Sequence, residues 1–334
     1  MDDVRLIDPA LLDSFVGRRV LVTGGAGFIP SHLTLALLSA GADVVLVDAQ
    51  PIDLERMYSH APGRVDAVQV AVGTPAFQQF FAAQSFDYIF HLAARAYAAG
   101  SVQAPVDDFT TNLAATVDLL EQMRNLKSQA RLVFASSAAV YGNPAKLPIE
   151  EGDLTVPVSP YGVSKLAAER YVAVYAQLYN IHAASLRLFS VYGPGQTKQV
   201  VFDLFDKLQR TPHELVVLGD GSQVRDLVFV GDVVHAFLAV AARGRGDGYA
   251  YNVASGIATS TAELAQAIIA VQNSYAQIRF TGATRPGDPE RWVGRCEPLV
   301  AIGGAPASTL HDGIQATAQW FNMHIAGQAR EVAA

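Results

Sequence analysis

One cysteine, Cys296, occurs in the 334 residues, and no run of lysine or arginine appears anywhere. A lone thiol cannot close an intramolecular disulfide, and the start Met1-Asp2-Asp3 lacks the basic end and apolar stretch of a secretory signal. The cytoplasm is the expected compartment. Without a basic run, nothing in the sequence favours gripping nucleic acid or an anionic membrane surface. Charge of either sign is scarce: 16% of residues are charged and 51% hydrophobic, with a formal net charge of −7. An ordinary soluble domain has about 25% charged residues. The shortfall excludes an extended disordered chain and a solvated coiled coil, and requires a large core. Small molecules or other copies of the chain are the expected partners. No cluster of His, Cys and Asp has the spacing of metal ligands, so no metal is expected.

The length suits one large or two ordinary domains. Charge is absent altogether between Val20 and Ala42, enough residues on paper to cross a bilayer at about 20. Gly24, Gly25, Gly27 and Pro30 interrupt that stretch and its first third is strand-like, so it reads as buried strand, turn and helix.

Apolar strand-like runs then alternate with helical stretches: Arg19–Thr23, Phe28–Ala40, Asp43–Asp48, Val65–Val72, Pro75–Gln84, Asp87–His91, Pro105–Asn125, Arg131–Ala135, Tyr161–Asn180 and Ala183–Leu188. Such alternation implies right-handed crossovers and a parallel sheet covered on both faces. Val20-Leu21-Val22 and Val44-Val45-Leu46-Val47 are continuously apolar, as strands buried on both sides must be. The expected fold is doubly wound α/β, a Rossmann-type sheet. Beyond Tyr192, loops rich in Gly and Pro separate shorter elements, which points to a smaller lobe closing over the carboxyl edge of the sheet. The expected division is 1–189 with about 226–255 for the sheet domain, and 190–225 with 256–334 for the lobe.

Three spacings carry chemistry. Val20 to Pro30 is a strand, a glycine turn and a helix start, the arrangement that lets backbone approach a pyrophosphate and meet its charge with free N–H groups and a positive helix end. Asp48 ends the next strand, where a carboxylate accepts both ribose hydroxyls of an adenosine and repels a 2′-phosphate, favouring NAD over NADP. Tyr161 and Lys165 are four apart at the start of a helical stretch and so share a face. An ammonium beside a phenol with reference pKa near about 10 favours the phenolate and makes it a usable base. Ser137, just past a strand's carboxyl end, could relay a proton to a substrate oxygen.

With these residues in view, the sequence resembles the extended short-chain dehydrogenase/reductases, in particular the nucleotide-sugar epimerase/dehydratase branch, from about Arg19 to Phe321. The matching segments are the Gly24–Ile29 turn, His91-Leu92-Ala93-Ala94, Asn112, Ser137 in Ser136-Ser137-Ala138-Ala139-Val140-Tyr141-Gly142, Tyr161 with Lys165, Arg187 to Pro194, Gly219 to Asp226, and Arg285 to Asp288.

The resemblance implies an NAD held across the sheet edge by Gly24, Gly27, Phe28, Ile29, Asp48, Leu92, Ala93, Ala94, Asn112, Phe189, Tyr161 and Lys165. In that reading Tyr161 is the base, Lys165 holds the nicotinamide ribose and lowers the Tyr161 pKa, and Ser137 bonds the reacting sugar oxygen. Ser190 lies near the sugar, Arg225 and Arg285 bind the nucleotide's phosphates, and Asp288 lies near its ribose. The branch oxidises the sugar at C4. Its 4,6-dehydratases carry an Asp-Glu pair after the hydroxyl residue, and its sugar-acid decarboxylases a Glu at the second of those positions; Ala138 and Ala139 stand there instead. The implied activity is therefore 4-epimerisation of a UDP-hexose or its uronic or N-acetyl derivative. Reduction of a keto sugar, an unusual dehydration, and a nucleotide-binding regulator without chemistry remain the alternatives. The resemblance also implies a homodimer formed through a four-helix bundle.

Three residues depart from the family pattern. Pro30 stands at the usual third glycine, where the first helical turn tolerates it and a repacked helix–strand contact is expected. Ala71 replaces the Asp that receives the adenine amino group, and Ser190 replaces an Asn. His91, His32 and Cys296 read as packing residues rather than catalysts.

Overall fold

The computed structural model describes residues 8–283 and 291–333, with side chains up to residue 324. Seven strands form one parallel sheet in the order β10-β6-β5-β4-β1-β2-β3. They are β1 (Arg19–Thr23), β2 (Asp43–Asp48), β3 (Arg64–Gln69), β4 (Tyr88–His91), β5 (Arg131–Ser137), β6 (Ala183–Leu188) and, returning late in the chain, β10 (Asp247–Val253). A sheet buried on both faces needs apolar residues at consecutive positions. Val20, Val22, Val44 and Leu46 duly face one core, with the helices Phe28–Ser39 and Val230–Arg243. Leu21, Val45 and Val47 face the other, with Pro75–Ala82, Ala115–Asn125 and Pro160–Tyr179. This is the doubly wound α/β architecture expected from the alternation.

The short strands β7 (Ser190–Tyr192), β9 (Val224–Phe229) and β11 (Ala258–Ser260) form a second sheet, while β8 (Glu214–Val217) pairs with β12 (Gln277–Phe280). Around them lies a third core that includes Tyr192, Leu204, Phe205, Phe229, Ile268 and Ile314.

The stretch without charge from Val20 to Ala42 is β1, its turn and the following helix, and among the described residues no helix is long and apolar enough to cross a membrane. The expected helix Pro105–Asn125 is less regular than its pattern. It is helical at Pro105–Asp108 and Ala115–Asn125, but widens into a π-type turn over Phe109–Ala114. There the Thr110 and Thr116 hydroxyls donate to the carbonyls of Val106 and Asn112 at 2.9 and 2.8 Å, competing with the regular ladder. A further helix, Ala98–Gln103, precedes it.

The two parts are tied by Asp226, fully buried at the centre of β9. Its carboxylate accepts from Ser255 N (2.6 Å), Ser255 Oγ (2.7 Å), Gly256 N (2.9 Å) and Gly294 N (3.1 Å), joining three chain segments. Asp226→Ala would orphan three backbone donors at about 1–3 kcal/mol each. The expected loss is at least about 3 kcal/mol in urea denaturation; a loss below about 1 kcal/mol would mean that water takes over the carboxylate's bonds.

Candidate active site

The chain order across the sheet reverses between β1 and β4, and the crevice outside their carboxyl ends is where doubly wound folds bind ligands. Gly24 follows β1 with φ +76°, and a Cβ there would lie 2.9 Å from Ala93 N, so only glycine lets the two loops meet. Gly24 and Gly25 N–H donate to Val47 O at 2.8 and 3.1 Å. Phe28 and Ile29 open the next helix half-buried, with Gly27 as its cap. Pro30 is buried in that first turn, and a Cβ on Gly27 would come within 3.3 Å of its ring. The amides of Phe28 and Ile29 still precede the position that proline deprives of an N–H. Asp48, at the end of β2, accepts from Ala26 N at 3.1 Å and Gln50 N at 2.8 Å, which sets its carboxylate beside the glycine turn.

Leu92, Ala93 and Ala94 are half-buried in the loop after β4, on the far wall of the crevice. A directed chain of hydrogen bonds holds that loop. Ala93 N donates to Thr23 Oγ1 (3.1 Å), which pairs with His91 Nδ1 (2.7 Å), while His91 Nε2 pairs with Thr116 Oγ1 (3.0 Å). Because the Thr116 hydroxyl donates onward to Asn112 O at 2.8 Å, the proton of His91 belongs on Nε2. His91 is fully buried, and burial followed by the charge of Lys165 pushes its pKa down to about 3. It is a neutral link in the structure, in keeping with its reading as a packing residue. His32 likewise binds structure to structure, its Nε2–H donating to Pro194 O at 2.7 Å.

The loop after β5 and the helix Pro160–Tyr179 bring the remaining groups together. Ser159 caps the helix by accepting from Gly162 N at 3.2 Å, and Pro160 supplies the pre-set first position. Ser101 Oγ accepts from Tyr161 N at 3.0 Å and donates to Ala98 O at 2.6 Å. A Cβ on Gly162 would sit 2.6 Å from Ala139 O. Glycine at that position thus lets the helix close onto the loop, and the Ser137 hydroxyl comes near enough to the Tyr161 phenol to lower its pKa. Ala138 and Ala139 bring only methyl groups to the loop.

Lys165 is 2% exposed. Its Nζ donates to Ala135 O at 2.8 Å and lies 4.8 Å from the Phe134 ring centroid and 6.0 Å from that of Tyr161. The shared face expected from the spacing is therefore present. The balance of protons differs from the simple expectation, however. Burial pushes the Tyr161 phenol up to about 12, with the Ser137 hydroxyl opposing and the Asp108 charge adding to the rise. Burial also pushes Lys165 down to about 7, with Asp108 opposing. Desolvation penalises both charged forms at once, and the ammonium, directed at a carbonyl, does not by itself overcome it.

The other expected residues are more scattered. Asn112 is fully buried, its Oδ1 accepting from Arg95 N at 2.7 Å and its Nδ2 donating to Asp108 Oδ1 at 2.8 Å, so its amide shapes the loop after β4. Phe189 is buried, its ring 6.5 Å from that of Tyr141 and tight against Gly294. Ser190 opens β7 half-buried opposite Leu227, and Arg225 lies half-buried on β9 with Nη1 donating to Val224 O at 3.0 Å. Ala71 occupies the turn after β3, its carbonyl accepting from Thr74 Oγ1 at 2.7 Å. Arg285 and Asp288 lie outside the described residues. Among the described residues no group of three or more His, Cys, Asp or Glu could hold a metal. Sequence reasoning passed over Ser101 and Asp108; the four-residue step from Asp108 to Asn112 on a helical stretch was the signal available for the second.

A model of the NAD dependent epimerase/dehydratase family matches residues 20–254. The chain is 34% identical over 310 residues to the UDP-glucose 4-epimerase of Mycolicibacterium smegmatis, covering 91% of this chain and 98% of that one. Among solved structures, the UDP-glucose 4-epimerase of Thermotoga maritima with UDP-glucose superposes with a TM-score of 0.83 at 29% identity, over 92% of this chain and 99% of that one. The Thermus thermophilus UDP-glucose 4-epimerase in complex with NAD gives 0.80 at 33%, over 91% and 99%.

The buried neutral His91 has a stability signature. Its folded pKa of about 3 lies below the ordinary 6.5, so between these values the unfolded chain binds a proton that the folded chain refuses. Stability therefore falls as pH drops through that window, by up to about 1.4 kcal/mol per unit. His91→Gln is expected to flatten this slope in urea denaturation between pH 6.5 and 4; parallel wild-type and variant curves would reject His91 as the source.

Proposed function

The chain belongs to the NAD dependent epimerase/dehydratase family, and from that premise we propose that it interconverts the two C4 epimers of a nucleotide-diphosphate sugar, a UDP-hexose or its uronate or N-acetyl derivative, through a 4-keto intermediate. The observation that carries this reading is the set formed by Ser137, Tyr161 and Lys165 at the carboxyl edge of the sheet, flanked by Ala138 and Ala139, which have no proton to give. Eliminating water would require a further acid and base there. Epimerisation requires only one group that takes the 4-hydroxyl proton and gives it back.

The residues present fit NAD. The crevice is lined by backbone at Gly24 and Ala93, too close together for a side chain, and by the helix start at Phe28 and Ile29, which suits a pyrophosphate. The Asp48 carboxylate beside the turn suits a ribose diol and disfavours a 2′-phosphate. NAD, when bound, supplies a reversible two-electron acceptor. Tyr161 accepts the sugar's hydroxyl proton through its contact with Ser137, and Lys165, as an ammonium, offsets the phenolate charge. The reverse transfer returns the proton once the keto sugar has presented its other face. The lobe of residues 190–225 and 256–334 holds the nucleotide in this reading, with Ser190, Arg225, Arg285 and Asp288 on that side. The compartment we assign is the cytoplasm.

Tyr161→Phe should lower interconversion of UDP-glucose and UDP-galactose, or of the pair that the protein turns over in a sugar-nucleotide panel, by about 10²–10⁴-fold. It should leave the NAD released on denaturation unchanged. An active Phe variant would refute the base. Net consumption of NADH during wild-type turnover would replace epimerisation by reduction.

We also propose a homodimer. Val106 and Phe109 on one helical stretch, and Val163, Tyr171, Val174 and Leu178 along one side of the helix packed against it, are exposed apolar residues. Such a face calls for a covering partner, and a second copy supplies an equal one. Val174→Glu should convert a dimer to a monomer in sedimentation velocity; a wild-type monomer would refute the assembly.

A further inference from the structure

Asp108 closes the short helix Pro105–Asp108 just before the widened turn, and it is 1% exposed. Both of its oxygens are taken by donors: Oδ2 accepts from Ser164 Oγ at 2.6 Å and Oδ1 from Asn112 Nδ2 at 2.8 Å. Two incoming donors and none returned is the pattern of an ionised carboxylate. Ser164 immediately precedes Lys165 in the chain.

Lys165 presents the complementary problem. A buried ammonium whose near neighbours are a carbonyl and an aromatic ring needs a negative charge within reach, or it sheds its proton. The groups around it, element by element, narrow the source. On its own helix, Tyr161 is a neutral phenol and Glu169 is bonded to Arg187 of β6 at 2.6 Å and to Ser136 of β5 at 2.9 Å. On β4, His91 is neutral, and at the end of β5, Ser137 carries no charge. Glu121 of the neighbouring helix pairs with Arg124, and Asp107 pairs with Arg95 at the surface. Among these described groups, Asp108 is the anion not already matched to a cation.

We propose that Asp108 is a positioning residue of this site: its carboxylate fixes the first turns of the helix Pro160–Tyr179 through Ser164 and is the buried anion that favours the ammonium form of Lys165. The inference rests on the reading of Tyr161 and Lys165 as the working couple and extends it to the group that sets their protonation. Its charge raises the pKa of Lys165 and of Tyr161 alike, so removing it moves both toward lower pH.

Asp108→Asn tests this nearly isosterically, because the Ser164 hydroxyl can turn and accept from the new amide while the other contact persists. The chain has five lysines, Lys127, Lys146, Lys165, Lys198 and Lys207, so carbon-13-labelled lysine gives few signals. Lys165 is identified as the signal missing from Lys165→Met. In Asp108→Asn its titration midpoint should fall by about one pH unit or more, and Asp108→Glu should restore it. If the Asn variant does not fold, Asp108→Ser makes the same comparison. A midpoint unchanged without the carboxylate, or equally low in Asp108→Glu, would overturn the proposal. The titration needs no substrate, so it is read separately from the Tyr161→Phe assay. An inactive Tyr161→Phe with an unmoved Lys165 would remove Asp108 alone, and an active one would remove the base whatever Lys165 does.

Discussion

The site depends on one close approach, that of the helix beginning at Pro160 to the loop after β5. A carbonyl occupies the space where a side chain on Gly162 would be, and that intimacy brings a phenol to a serine hydroxyl and an ammonium to the backbone of β5. Water is largely excluded from the ammonium, while the phenol and the serine hydroxyl stay half-buried, and this shielding raises the cost of charging the couple. The same exclusion gives the surrounding polar contacts their strength. Ser101, Ser159 and Ser164 each spend a hydroxyl on aligning the first turns of the helix. Rigidity and perturbed protonation thus have a common origin in dry packing.

Much of this was legible in the sequence, and the reasons are physical. β1 and β2 match their expected limits because a strand covered on both faces is apolar through consecutive middle positions, here Val20 to Val22 and Val44 to Val47, a pattern that surface elements do not share. Tyr161 and Lys165 were readable because helical periodicity converts a spacing of four into a shared face. The glycine turn and Asp48 were readable because each answers a local backbone or charge requirement.

What escaped depends on contacts between distant segments. Nothing local marks Asp108 as buried, since an aspartate on a helix is usually solvated; its environment is made by Ser164, fifty-six positions away. The helix Ala98–Gln103 is too short to show a period. Asn112 and Phe189 carried a family expectation of lining the cofactor cleft, yet their polar and apolar surfaces are occupied by protein. The proton balance of the Tyr161–Lys165 couple could not be had from spacing, because burial dominates it.

The return of the chain through β10 has a consequence for motion. Among the described residues, polypeptide passes between the large sheet and the lobe after β6, after β9, after β10 and again on either side of the short helix Glu297–Ala301, whose Leu299 joins a core of the large sheet; the passage after β9 leads straight into the helix Val230–Arg243. A lobe hung on one strand of chain could swing like a door. Held by several connections, with the Asp226 carboxylate fastening β9 to the segments at Ser255 and at Gly294, this one has no single hinge, and motion is left to the loops at its rim.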